Sequence, residues 1–164
     1  MPVPTATPAE VRAALGVSTT EISDATISLP HYDTLVMLDL EGVNSAAPSL
    51  YDTISAIPSN SRTTAQQRYY DLVHLFCTYS RAKTLLAALP MFSVARLTDG
   101  RAEFQRQPDI LEDIVAGVLD MYSTIKLKLA AQYLTLVPGS TVYSATTFDF
   151  TLSTGLAVDP VTNT

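Results

Sequence analysis

"TAQQRYYDLVHLFCTYSRAKTLLAALP", residues 64–90, decides how the rest of the chain is read. Tyr69, Leu72, Val73, Phe76, Tyr79, Leu86 and Leu89 recur at three- and four-residue steps, the period of one buried helical face. Thr64 followed three residues later by Gln67 supplies a capping box, and Pro90 supplies a stop, so a helix is predicted from Thr64 to about Leu89. A helix this long is stable only against a partner of similar length. The sequence offers one: Pro108 and Asp109 open a segment in which Leu111, Ile114, Val115, Val118, Tyr122, Ile125 and Leu129 form a second stripe, closed by Pro138-Gly139.

Upstream, the pattern shortens. Thr7-Pro8-Ala9-Glu10 combines a capping threonine, a proline at the first helical position and a glutamate that reaches back, predicting a helix over about 8–14 with Val11 and Leu15 inward and Gly16 as its stop. Ser23 caps a further turn before Asp24, anchored by Ile22 and Ile27. Pro30 starts a helix running to Gly42, with Leu35, Leu38 and Val36 or Leu40 as its apolar face. Residues 43–62 hold two prolines, several serines and two asparagines, and read as a connector with one helical turn around Leu50–Ile54.

Between the two long helices lies "LTDGRAEFQR", 97–106, where Asp-Gly flanked by strand-like residues predicts a small β-hairpin over about 92–106. Val94 and Ala102 or Phe104 share one face there, and Arg96, Arg101 and Arg106 the wet one. A two-stranded ribbon is marginal alone and leans on the helices or on another molecule. The last 25 residues contain no charge but Asp149 and Asp159, and Phe148, Phe150 and Leu152 alternate with polar residues at the period of a strand. Extended, this tail reaches about 80 Å. The expected architecture is therefore mainly α: a helical bundle over 1–139 with a hairpin between its last two long helices, and an extended or β tail over 140–164.

Composition narrows the function. The 164 residues suit one domain with a tail, 47% of them are hydrophobic, and only 16% are charged against roughly 25% in ordinary domains, so some surface is expected to be covered by partners. A net charge of −6 argues against a protein that grips nucleic-acid phosphates. Charge is also segregated: residues 1–60 carry seven acids and one arginine, residues 61–90 four bases and one acid. Copies packed side by side would bring these surfaces together, although solvated faces are the plainer explanation. No apolar run spans a bilayer and no signal core opens the chain, so synthesis in a cytoplasm is expected.

Catalytic patterns are missing. His31 and His74 share no metal-ligand spacing, and no glycine-rich phosphate loop occurs among the six glycines. Cys77, the one cysteine, sits in an apolar pattern; a His74–Cys77 nucleophile pair has helical spacing but lacks a basic setting. Glu112-Asp113, Asp39 with Glu41, and Glu21 with Asp24 fall where helix starts or solvated faces carry acids. The "TDG" stretch lacks a calcium ladder. A helix-turn-helix reading of the N-terminus would present Thr19, Thr20, Glu21 and Asp24 to DNA, which is the wrong charge. The expectation is no enzyme, no metal and no cofactor.

The layout does resemble a family. "TPAEVRAALGVSTTEISDATI" (7–27), with its Gly16-Val17-Ser18, Glu21-Ile22 and Asp24, and "LPMFSVARLTDGRAEFQRQPDI" (89–110), followed by a last long helix, resemble head-to-tail connector (adaptor) proteins of tailed bacteriophages over about residues 5–135. The resemblance implies a structural virion protein of the neck: a ring of about twelve copies beneath the portal protein, bound to a further neck or tail protein, with genomic DNA passing through the lumen unheld and no membrane involved. On that reading the hairpin (Val94, Arg96, Arg101, Phe104, Arg106) and the tail (Phe148, Phe150, Leu152) are the partner-binding residues, the tail by strand addition. The alternatives are a small cytoplasmic helical binding or regulatory module using the N-terminal helices, and a hydrolase built on His74, Cys77 or a carboxylate pair.

Overall fold

The computed structural model describes residues 6–86, 97–99, 102–104 and 108–140, with side chains described over 6–86 and 112–140. Six helices carry it: α1 (Pro8–Leu15), α2 (Asp24–Ile27), α3 (Pro30–Glu41), α4 (Ala47–Ser55), α5 (Thr64–Leu86) and α6 (Pro108–Leu136). At 1.5 Å per residue, α5 is about 35 Å long and α6 about 44 Å. They pack antiparallel: Gln132 Nε2 donates to the Ala65 carbonyl at 3.0 Å, Tyr133 meets Tyr69, and Tyr122 stacks on Phe76.

The two predicted stripes meet here. Tyr69, Val73 and Phe76 of α5 and Val118, Ile125 and Leu129 of α6 are buried, while Leu72, Tyr79, Leu86, Ile114 and Tyr122 close the margins half-buried. The capping box sits one residue earlier than expected. Thr63 Oγ1 accepts from the Gln66 amide at 3.2 Å and Gln66 Oε1 accepts from the Thr63 amide at 2.9 Å, which leaves Gln67 free to bond Asp71.

α1 is capped as the sequence indicates. The Thr7 amide donates to Glu10 Oε2 at 2.8 Å, and Gly16, at φ +63°, ends the helix in the left-handed turn that glycine adopts without strain. Ser23 caps α2 through the Thr26 amide at 3.2 Å. On α3, Val36 and Leu40 are buried, but Leu35 and Leu38 are 39% and 57% exposed, so the apolar face expected from all of them is half turned outward. The reason is that the side of α3 that meets α5 carries Asp33 and Asp39, bonded to Arg81 and Ser80, together with Val36 and Leu40.

The connector reading of 43–62 needs the largest correction. It holds the nine-residue α4 and a 3₁₀ turn (Ser59–Ser61), and Val43, Asn44, Ala47, Pro48, Tyr51 and Ile54 are buried. Proline in the first turn starts a helix as readily as it interrupts one. The far end is fixed by Arg62, whose Nε donates to the Ile54 and Ile57 carbonyls at 3.2 and 3.0 Å. Its guanidinium lies 4.1 Å over the Tyr70 ring, which in turn stacks on Tyr51 at 5.5 Å. A serine- and proline-rich stretch becomes core because one arginine and two tyrosines tie it to α5.

Leu97–Asp99 and Ala102–Phe104 pair antiparallel, with Leu97 opposite Phe104 and Asp99 opposite Ala102. The hairpin expected over about 92–106 lies mostly outside the described residues, as do the expected end of α5 at Leu89 and the tail after Ser140. The described architecture is mainly helical. Among the described residues, no helix is long and apolar enough to cross a membrane.

Candidate interaction surfaces

Part of the charge in this fold is answered within the chain. The bases of α5 and the acids of the N-terminal helices, segregated in sequence, pair within one chain: Arg81 with Asp33, Lys83 Nζ with Asp39 Oδ2 at 2.8 Å, and His74 Nε2 with Glu10 Oε1 at 3.0 Å. Arg12 pairs with Asp24 across the α1–α2 turn. Complementary packing between copies is therefore not needed to explain the segregation of these groups. A helix bearing Arg81 and Lys83 on the face that meets α3 would be costly to bury without those carboxylates.

The network has one hub. Asp39 accepts from Ser80 Oγ at 2.6 Å as well as from Lys83, and the Lys83 ammonium lies 4.0 Å from the Tyr122 ring centre, so α3, α5 and α6 converge there. Burial, with Asp39 nearby, pushes the Tyr122 phenol above its ordinary range. Sequence reasoning missed this group, although Ser80-x-x-Lys83 was visible as a hydroxyl and an amine one turn apart, a spacing some acyl-transfer enzymes use. Here Ser80 is fully buried and its hydroxyl is committed to Asp39, so the arrangement locks three helices together.

The other groups weighed for chemistry fall apart spatially. Burial pushes the Cys77 thiol up to about 12, with the Arg81 charge opposing only in part, so no thiolate forms near neutrality. His74 turns to Glu10 on the outside of α5. That histidine, together with Thr7, holds the Glu10 carboxyl down at about 2. Residues 19–21 form a turn instead of the recognition helix a DNA reader would need, with Ser18 bonding Glu21 and Asp24 taken by Arg12. Among the described residues, no group of three or more His, Cys, Asp or Glu could hold a metal ion.

Several large apolar side chains remain open to partners. Leu35 and Leu38 on α3, Leu75 on α5, and Leu119, Met121 and Leu127 on α6 are exposed, Leu127 by 66%. Two open grooves flank Leu75: one of about 510 Å³ beside Arg68 and Leu72, the other of about 290 Å³ between Ala13 and Ala14 of α1 and Tyr79 of α5. None of these surfaces was singled out by sequence. A leucine at a helical step reads as core until the fold shows which side faces away.

Of the residues expected to bind partners, Val94, Arg96, Arg101, Arg106, Phe148, Phe150 and Leu152 lie outside the described residues, and Phe104 is described only as backbone of the second strand. No protein-family model, no curated protein and no solved structure matches this chain.

Proposed function

We propose that this chain is a structural assembly subunit, in particular a head-to-tail connector of a tailed-bacteriophage neck that forms a ring under the portal protein. The observation that carries the reading is the exposure of large aliphatic residues on two separate helices, Leu35 and Leu38 on α3 and Leu119 and Leu127 on α6. A head-to-tail contact joins two unlike faces of one subunit, and a closed ring repeats that contact about an axis.

In the ring, about twelve copies surround a lumen through which genomic DNA passes. A net charge of −6 keeps the phosphate backbone from adhering there. The hairpin of about 92–106, with Val94, Arg96, Arg101, Phe104 and Arg106, touches a neighbouring subunit or the portal. The tail, through Phe148, Phe150 and Leu152, adds a strand to a neck or tail protein.

The experiment is sedimentation of the purified chain with heads that carry portal but no neck. Co-sedimentation at a fixed copy number per particle is the expected result; a chain that stays in the supernatant sinks the connector reading. The groove between α1 and α5 favours one second reading, a helical binding module that docks a partner beside Ala13, Ala14 and Leu75. Such a module ignores heads.

A further inference from the structure

α5 is the centre of the bundle, packed by α1, α3, α4 and α6, and one side of its first half stays uncovered among the described residues. Thr64, Arg68, Asp71 and Leu75 on that side are exposed, Leu75 by 45%, with half-buried Leu72 beside them. They line the groove of about 510 Å³, and Leu75 also lines the second groove, bounded by Ala13, Ala14 and Tyr79. The two form one trough along α5 from Thr64 to Tyr79, about 22 Å long. Its second half has an apolar floor.

We infer that the tail of the same chain occupies this trough, with Phe148 on Leu72, Phe150 on Leu75, and Leu152 between Ala13, Ala14 and Tyr79. The chain leaves the bundle at the right end. Gln132 of α6 bonds the Ala65 carbonyl in the first turn of α5, and Ser140 lies eight residues beyond Gln132, so the tail departs past the start of α5. Leu72 lies seven residues from Ala65 in the other direction, which sets Ser140 and Leu72 at most about 22 Å apart along the helix axis. The eight residues from 140 to 148 reach about 26 Å when extended, and the three to Tyr143 only about 10 Å. Phe148 is thus the first large apolar residue of the tail able to meet Leu72, with slack for the step around the helix. The spacing continues to fit. Alternate residues of an extended segment stand about 6.6 Å apart on one side, so Phe148 to Leu152 covers about 13 Å, against about 10 Å from Leu72 to Tyr79.

Tethering selects the tail over a free partner. A groove this open grips an untethered peptide weakly, whereas a segment joined by a short linker meets it at an effective concentration of about a millimolar. Charge agrees. Among the described residues neither Arg62 nor Arg68 has a carboxylate partner, Asp71 is bonded by Gln67, and Asp149 is the only charge between residues 141 and 158. The contact belongs to the free chain whatever its function. Its use rests on the connector reading, in which the same three tail residues add a strand to a neck or tail protein and must first leave the trough. A subunit built this way keeps its pairing segment covered until a partner competes for it.

The test is paramagnetic relaxation in the full chain, with a nitroxide on Thr151→Cys, which alternation turns away from the trough, and carbon-13 in the leucine methyls. Buried Cys77 stays unlabelled. The expected result is stronger broadening at Leu72 and Leu75 than at Leu35 and Leu38 on α3. It persists on dilution into unlabelled chain and vanishes when nitroxide and isotope are carried by different chains. Leu75→Asp abolishes the broadening at Leu72, with the fold kept because Leu75 is exposed, and Phe150→Ser does the same from the side of the tail. No broadening, equal broadening on α3, or broadening only between chains would each overturn the contact, the last in favour of a second copy. A chain that shows the contact yet ignores heads loses only the connector; a chain that binds heads without it loses only this inference.

Discussion

α6 and three of the N-terminal helices, α1, α3 and α4, hold on to α5 by different means. Along the α5–α6 seam aromatic and aliphatic contacts dominate, Phe76 on Tyr122, Tyr69 against Tyr133, and Val118, Ile125 and Leu129 between them, with the Gln132–Ala65 hydrogen bond and Lys83 over Tyr122 added. On the other faces of α5, charged and polar groups accompany the aliphatic ones: Arg81 to Asp33 and to the Ala6 carbonyl, Lys83 and Ser80 to Asp39, His74 to Glu10, and the Tyr69 hydroxyl to the Ala47 carbonyl at 3.0 Å. Length explains the division. A 29-residue helix buries a stripe long enough to hold it, whereas helices of eight to twelve residues bury little each and need directional bonds to fix where they sit.

The seam should therefore respond to lost volume and the N-terminal layer to lost charge. Phe76→Ala is the sharpest test of the first half. It empties a fully buried site against Tyr122 and should cost about 4 kcal/mol, read as a fall in the denaturant midpoint with unfolding still cooperative. Retention of wild-type stability would mean that the α5–α6 contact is not the centre of the core.

Arg81→Met tests the second half. The arginine side chain is only 6% exposed while its partner Asp33 is 39% exposed, so the loss is smaller than for a wholly buried pair, about 2–3 kcal/mol. Its signature is regional. Amides of α1 and α3 should exchange faster in the variant while those of the α5–α6 seam keep their protection until global unfolding. Uniform loss across all helices would remove the distinction between the two regions.

The same division accounts for what the sequence made legible. The α5 and α6 stripes, the Thr7–Glu10 cap and the Ser23 cap were readable because periodicity and capping are local. Thr63 and Gln66 displaced Thr64 and Gln67 as the cap because two overlapping boxes fit the same residues. α4 was legible only as one turn around Leu50–Ile54: its burial depends on Arg62 and Tyr70, which lie outside it and act through space. The outward turn of Leu35 and Leu38 was hidden for the same reason, since a hydrophobic period states that a face exists and not which of two faces is covered. The ion pairs were present in composition as a charge imbalance, and only the fold decides whether such an imbalance is answered within the chain or by a neighbour.

The smallest effect separates the regions by pH. Glu10 joins α1 to α5 through His74 while also closing the α1 capping box, and these bonds, His74 first and Thr7 second, hold its carboxyl near 2 against an ordinary 4.5. A lowered carboxyl stabilises the folded state fully above its unfolded value and loses that contribution as pH falls through the folded one. The stability difference between wild type and Glu10→Gln should thus be constant above about pH 5 and shrink steadily as the solution is taken toward pH 2. Its size is under about 1 kcal/mol, because the carboxylate is nearly half exposed and solvent screens it. The difference between the two proteins in exchange at α1 amides should follow this window, and their difference along the α5–α6 seam should not, since Glu10 bonds Thr7 and His74 and none of the seam's side chains. A difference that grows on acidification, or one shared equally by both regions, would show that Glu10 does not fasten α1 to the bundle.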